Sequence, residues 1–139
     1  MKKTMTLTAI GTLLLVGCNS IPVSKNAAEI GVDFGVDGKI QKKYTCEGSS
    51  RGTSPVVTLT NVPAGTKFLK FRMVDWDFTS YNHGNETLAY TGSVIPEGGL
   101  TSYSGPCPPS QHRYEMTFEA LNADKTLILG KGAAMRMYP

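Results

Sequence analysis

The stretch that decides the fold is Tyr114-Glu115-Met116-Thr117-Phe118-Glu119-Ala120. Its apolar side chains alternate with polar ones at a period of two, the pattern of a β-strand with one buried and one solvent-facing side. A helix would instead bring apolar residues together at spacings of three and four, which this stretch lacks. The sequence therefore predicts a half-buried strand over residues 114–120.

Working outward, other segments show the same strand signals. In residues 68–75, Leu69, Phe71 and Met73 lie on one face, and Lys70 and Arg72 on the other. Shorter strands are predicted at residues 55–62, 87–93, 127–129 and 134–138, and turns rich in glycine and proline separate them. No segment has a sustained helical period with caps. The pattern favours a single all-β domain, an antiparallel β-sandwich.

The amino terminus has a different composition. Lys2 and Lys3 precede a short apolar run, residues 5–16, which ends in small residues before Cys18. This order is typical of a secretion signal, and the run is too short for a stable membrane span. The alternative is a buried helix of the folded domain, but no charged residue gives the run a polar face. Residues 1–17 are therefore predicted to be a signal peptide.

Leu15-Val16-Gly17-Cys18 resembles the bacterial lipobox, whose cysteine receives diacylglycerol and acyl chains such as palmitate. Lipidation of Cys18 would anchor the chain durably, since each buried CH₂ contributes about 0.8 kcal/mol. Asn19, rather than aspartate, follows the cysteine, which favours the outer membrane of the bacterial cell envelope. Residues 18–28 are predicted to be the lipidated cysteine and a tether, and residues 29–139 the folded domain.

Charge and cysteine content narrow the function classes. Removing residues 1–17 leaves twelve basic and eleven acidic residues, with no Lys/Arg run of the kind that binds nucleic acid.

Cys46 and Cys107 remain, and an even number of cysteines in an exported domain favours a disulfide. The alternative is two separate buried thiols.

Three segments do not look like ordinary strands and turns: Asp75-Trp76-Asp77, Gly105-Pro106-Cys107-Pro108-Pro109 and His112-Arg113-Tyr114. The two aspartates follow a strand, so both are expected on one side of the sheet rim, with the tryptophan opposite. Taken alone, each segment has a plain explanation as a turn, a chain reversal or surface residues. Their order along the chain is more specific than any one of them.

Together these segments resemble the phosphatidylethanolamine-binding protein family, also called the Raf kinase inhibitor-like family in bacteria. The matching motifs are Tyr44-Thr45-Cys46-Glu47-Gly48, Ser54-Pro55, Val62-Pro63-Ala64-Gly65-Thr66-Lys67, Asp75-Trp76-Asp77, Ile95-Pro96, Gly105-Pro106-Cys107-Pro108-Pro109 and His112-Arg113-Tyr114. The resemblance implies a β-sandwich with a small pocket for phosphate-like anions or phospholipid head groups. Carried over by position, the pocket residues would be Asp75, Asp77, Gly105, Pro106, Pro108, His112 and Tyr114.

The chain departs from the family pattern at several points. Trp76 replaces the usual proline of the acidic box, the family's second pocket histidine is missing, and the chain lacks the C-terminal helix of larger members. His83, in the loop after the box, is the candidate replacement and is included among the predicted ligand-binding residues.

The leading hypothesis is a membrane-anchored protein that binds a small anionic ligand or phospholipid head group. The alternatives are a protein-interaction or inhibitor module, resembling kinase or protease inhibitors, and a purely structural envelope lipoprotein. Catalysis is not expected, because the sequence has no Gly-x-Ser-x-Gly or His-x-x-x-His motif. No metal, cofactor or nucleic-acid partner is predicted, while a protein partner stays open.

Overall fold

The structure, a computed structural model, describes residues 20–48 and 52–139. The predicted signal peptide, residues 1–17, and the predicted lipidation site, Cys18, lie outside the described residues. Within residues 20–48 and 52–139, no helix is long and apolar enough to cross a membrane.

The described part of the chain forms eight strands in two sheets. They are β1 Val23–Glu29, β2 Gly31–Phe34, β3 Val57–Thr60, β4 Phe68–Asp75, β5 Asn85–Ala89, β6 Val94–Ile95, β7 His112–Leu121 and β8 Ile128–Tyr138, with a short 3-10 turn at Lys42–Tyr44. The large sheet has the order β1-β8-β7-β4-β5, and the small sheet the order β2-β3-β6. The predicted all-β sandwich is confirmed.

The core lies between the two sheets and follows the alternation seen in the sequence. Tyr114, Met116 and Phe118 of β7 are completely buried, while the residues between them remain partly exposed. Phe71 of β4 packs beside Phe118 with 5.4 Å between the ring centroids. The small sheet covers this layer with its own buried side chains, Phe34, Val57 and Leu59. Burial of these apolar side chains is the main force that holds the sheets together.

The central strand, β7, sets the position of its neighbours through two antiparallel ladders. On one side Asp75, the last residue of β4, pairs with Tyr114. On the other side Tyr138, the last residue of β8, pairs with His112. The end of β4, the start of β7 and the end of β8 therefore meet at one edge of the large sheet.

The structure corrects the predicted tether. Residues 23–28 are not a tether but belong to β1, which pairs with β8. The two strands run parallel, so this pair also departs from the predicted antiparallel sandwich. The segment Val23–Glu29 is rich in small and polar residues with weak strand propensity. Its conformation depends on the open edge of β8, whose backbone groups need partners. The sequence of residues 23–29 does not itself indicate that a distant strand will offer this edge.

A second correction concerns the end of the chain. The two strands predicted at residues 127–129 and 134–138 form one continuous strand, β8. Glycines and alanines between them weaken the local strand signal, but β7 pairs with this whole segment and supplies the hydrogen bonds that keep it extended.

A disulfide joins Cys46, which follows the 3-10 turn, to Cys107 in the proline-rich loop, with 5.2 Å between the Cα atoms. The backbone N–H of Cys46 also donates to the carbonyl of Pro106. The predicted pairing, rather than two separate thiols, is the one present in the structure.

We expect loss of this bridge to lower the free energy of unfolding by about 4 kcal/mol, because it closes a loop of 61 residues in the unfolded chain. Urea unfolding of the native protein and of the double variant Cys46→Ser/Cys107→Ser measures the difference. Adding a reductant should lower the urea midpoint of the native protein and leave that of the double variant unchanged. Equal midpoints for the two proteins without reductant would contradict the expectation.

Candidate functional site

A cavity of about 490 Å³ opens at the edge of the large sheet where β4 ends and β7 begins. Five residues predicted from the sequence line it together: Asp75, Asp77, His83, His112 and Tyr114. Pro108 also lines it, as predicted. The remaining wall consists of Phe78, Tyr81, Cys107 and Pro109. Groups separated by up to 39 positions in the chain therefore meet at one cavity.

Asp75 is the most deeply placed polar group of the cavity. It continues the inward-facing row of β4 after Phe71 and Met73, and its residue is only 2% exposed. Its Oδ1 accepts hydrogen bonds from the backbone N–H groups of Asp77 (2.9 Å) and Phe78 (3.0 Å). This arrangement turns the chain out of β4 and satisfies one oxygen of the carboxylate.

The other oxygen of Asp75, Oδ2, accepts a hydrogen bond from Nδ1 of His112 at 2.7 Å. Burial by itself raises the pKa of Asp75, but the hydrogen bonds from His112, Asp77 and Phe78 favour the charged form and lower the pKa below its ordinary value. Asp75 is therefore a buried anion that is fully hydrogen-bonded.

The hydrogen bond to Asp75 fixes the proton of His112, the first residue of β7, on Nδ1. A carboxylate only accepts, so Nδ1 carries the proton and donates it to Asp75. Its Nε2 makes no hydrogen bond to any group in the described part of the chain. The His112 side chain is 16% exposed at the cavity wall. Asp75 thus orients an imidazole whose second nitrogen is available to a ligand.

His83 lies across the cavity from His112. Its Nδ1 donates to the carbonyl of Ser104 at 2.7 Å, and its Nε2 lies 3.9 Å from Oδ2 of Asp75. The next residue, Gly84, has φ +142°, and a Cβ there would lie 2.8 Å from the ring of Phe71. Only glycine fits this sharp turn, which points the buried His83 inward. Its position in the wall agrees with the prediction, while its ligand-binding role stays a prediction.

Tyr114 forms the floor between the two histidines. Its ring meets that of His83 edge-on at 5.2 Å and stacks near that of His112 at 6.3 Å. Burial first, and then the negative charge of Asp75, raise the pKa of Tyr114 above its ordinary value. The phenol therefore stays protonated, and its hydrogen bond to the Asp75 carboxylate also raises the pKa of Tyr114.

Asp77 is differently placed from Asp75. Its carboxylate accepts three hydrogen bonds from Arg113, at 2.8 Å from the backbone N–H, 3.1 Å from Nε and 2.9 Å from one terminal nitrogen. Side-chain hydrogen bonds from Arg113, followed by the backbone bond, lower the pKa of Asp77 to about 2. Asp77 lines the mouth of the cavity, but Arg113 neutralises its charge.

The proline-rich loop requires a correction. Pro108 lines the cavity, but Gly105 and Pro106 do not; both are buried behind the wall. The carbonyl of Pro106 is bound to the N–H of Cys46, and the disulfide holds the loop in that orientation. The disulfide and this hydrogen bond join the loop to the segment around Cys46, while Pro108 lines the cavity.

Two aromatic residues at the cavity mouth, Phe78 and Tyr81, were not singled out from the sequence. Phe78 is 56% exposed, and Tyr81 lies 4.6 Å from His83 between ring centroids. The available signal was two aromatic residues within a polar loop that has no strand pattern. Trp76, predicted on the opposite side of the rim, is 48% exposed and does not line the cavity.

Metal binding has no support from this geometry. Among residues 20–48 and 52–139, no cluster of three or more His, Cys, Asp or Glu side chains is arranged to hold an ion. The polar groups that the cavity brings together are two imidazoles and a phenol around one buried carboxylate, with Asp77 paired to Arg113.

We expect the ion pair of Asp77 to make stability depend on pH in the acid range. Because the folded-state pKa is about 2, below the ordinary value, the ionised carboxylate stabilises the fold above about pH 4, and this contribution is lost as the pH falls towards 2. The difference in unfolding free energy between the native protein and Asp77→Asn should shrink over that interval in urea titrations. Asp124→Asn, in an exposed turn, is the matched control and should show no such trend.

The fold has counterparts in solved structures. Neither the scan of family models nor the search of curated proteins finds a match. The structure of CT736 from Chlamydia trachomatis, described as a phosphatidylethanolamine-binding protein homologue, superimposes with a TM-score of 0.64 at 23% identity, covering 83% of this chain and 99% of that one. YbcL of E. coli, described as a new member of the mammalian family, gives 0.63 at 20% identity, covering 80% and 98%. The chain therefore has the phosphatidylethanolamine-binding protein fold.

Proposed function

We propose that this chain is a bacterial member of the phosphatidylethanolamine-binding protein family, anchored to the outer membrane through Cys18, whose cavity binds a phosphate-like anion or phospholipid head group. The observation that carries the binding proposal is the meeting of Asp75, His112, His83 and Tyr114 at one cavity. The lipobox and Asn19 support the anchor and its membrane. The proposal includes no catalytic step.

The donors of the cavity suit an oxyanion. When its ring is an imidazolium, His112 donates from Nε2 to an oxyanion in a charge-assisted hydrogen bond and offsets the negative charge of Asp75, which would otherwise repel an anion. Arg113 compensates the second carboxylate, that of Asp77.

The size and composition of the cavity suit a small organic phosphate. A volume of about 490 Å³ lies in the lower part of the range of small-molecule sites, roughly 300 to 1,000 Å³. Phe78, Tyr81, Pro108 and Pro109 give the mouth an apolar wall for the carbon atoms of a head group, while the polar groups lie at the bottom.

A second candidate is a protein-interaction or inhibitor module. It is favoured by the exposure of Trp76 and Phe78, since large aromatic side chains are enriched in protein interfaces. In that case the loops around the mouth would be the working surface, and small anions would not bind.

We expect saturable binding of inorganic phosphate and O-phosphoethanolamine in isothermal titration calorimetry. Asp75→Asn should weaken it at least about tenfold, because the amide no longer orients His112 through a charge-assisted hydrogen bond. His112→Gln removes the imidazole, and with it the cationic donor, at a less buried position and should have a similar effect. Circular dichroism checks that both variants fold.

Asp124→Asn is the matched control, since it removes the same charge from the turn at the far end of the sheet, and its affinity should equal that of the native protein. Absence of heat with both ligands, in a folded native protein, would favour the interaction module. Equal affinity in the native protein and both cavity variants would contradict the assigned site.

We expect Cys18→Ser to abolish membrane anchoring. Cells that express the native chain should incorporate labelled palmitate into it and retain it in the outer-membrane fraction, whereas Cys18→Ser should lose the label. Cys46→Ser/Cys107→Ser keeps the lipobox and should remain labelled. Label retained by Cys18→Ser would contradict the anchor.

A further inference from the structure

We infer that the anchor holds the cavity away from the bilayer to which the chain is attached, so that its ligand is a diffusible phosphate-bearing molecule rather than a head group of that bilayer. This inference rests on the proposed anchor at Cys18 and on the proposed anion site. It follows from the position of β1 in the sheet, which differs from what the sequence indicated.

The connection between the anchor and the domain is short. The carbonyl of Pro22 already accepts a hydrogen bond from the N–H of Ile128 at 2.9 Å, and β1 begins at the next residue, Val23. Only residues 19–21 separate Cys18 from this fixed point. Four residue steps span at most about 14 Å when fully extended. The domain therefore stays close to the membrane at its β1 end.

The cavity lies at the other end of the same sheet. β1 pairs with the beginning of β8, where Val23 is opposite Ile128. The cavity lies beside the end of β8, where Tyr138 is opposite His112. Ten residue steps separate Ile128 from Tyr138, and at about 3.3 Å per residue they span roughly 33 Å. Because the connection reaches less than half that distance, the domain cannot invert to place its cavity end on the bilayer.

The end of the sheet near β1 has features that suit a membrane surface. Val23, five residues after Cys18 in the sequence, is exposed. The turns at this end, residues 61–67 and 122–127, contribute Lys67 and Lys125 against a single acid, Asp124. A positive end next to an anionic membrane surface favours an upright domain.

The consequence concerns the source of the ligand. Inorganic phosphate, a soluble phosphomonoester and a phospholipid head group share the same anionic oxygens, so the cavity chemistry does not distinguish them. The position of the cavity relative to the anchor does distinguish these sources. Only molecules that arrive from the aqueous side can enter a mouth held far from the anchoring bilayer.

Trp76 allows a direct test, because it is the only tryptophan in the chain and lies exposed at the cavity end. The lipidated full-length protein is reconstituted into phosphatidylethanolamine vesicles that contain a head-group-attached quencher. We expect no loss of Trp76 emission relative to vesicles without quencher. Soluble O-phosphoethanolamine should bind with the same affinity in vesicles and in detergent micelles. Strong quenching of Trp76 in the native protein would overturn the inference.

A variant with a longer connection between Cys18 and β1 shows whether the short connection is what keeps Trp76 away from the quencher. An insertion of about 40 Gly/Ser residues between Asn19 and Ser20 has a root-mean-square span of roughly 35 Å and lets the domain turn over. Its Trp76 emission should be quenched more than that of the native protein, and equal quenching would overturn the inference. The proposed function is tested separately by the native protein in detergent micelles. If that sample binds no O-phosphoethanolamine, the proposed function is contradicted.

Discussion

The pairing of β4 with β7 is the interaction on which the rest of the structure depends. Its register sets Asp75 opposite Tyr114 and brings His112 within 2.7 Å of the Asp75 carboxylate. The same ladder buries Phe71 against Phe118. A shift by one residue would turn every inward side chain of β4 to solvent, so the core and the site require the same register. Burial of the apolar face therefore also positions the polar groups.

A buried carboxylate needs compensation, and the fold provides it locally. Two backbone N–H groups, one imidazole and the phenol of Tyr114 form hydrogen bonds with Asp75. This explains how a charge can remain at the inner end of a β-strand, where it would otherwise be strongly destabilising. The same contacts hold the proton on Nδ1 of His112 and fix the orientation of its ring, so the network that stabilises the anion also positions the imidazole proposed to bind a ligand. Structure and proposed function thus share one set of hydrogen bonds.

Asp75 and Asp77 show how much neighbours change two chemically identical groups. Asp75 continues the inward row of β4 and is buried, whereas Asp77, two residues later, lies beyond the strand and is neutralised by Arg113 at the surface. The disulfide has a comparable local effect, since it turns Gly105 and Pro106 towards the interior and leaves Pro108 at the cavity. The wall of the cavity therefore depends on cross-connections between distant segments.

The amino-acid sequence by itself determined the elements that carry their own pattern. The alternation in residues 114–120 and 68–75 predicted β7 and β4, and with them the sandwich, because a period of two has only one way to bury its apolar side. The order of the motifs indicated the family resemblance and, with it, Asp75, Asp77, Pro108, His112 and Tyr114, whereas His83 was predicted as a replacement for a missing family histidine.

Only the tertiary structure decided the features that depend on a partner far along the chain. Val23–Glu29 becomes a strand because β8 offers an open edge, and a cross-link to Cys46 turns Gly105 and Pro106 away from the cavity. Phe78 and Tyr81 reach the mouth through the path of a loop. The physical reason is the same throughout: backbone hydrogen bonds and cross-links between distant segments override weak local preferences, and a local pattern contains no information about which segments will meet.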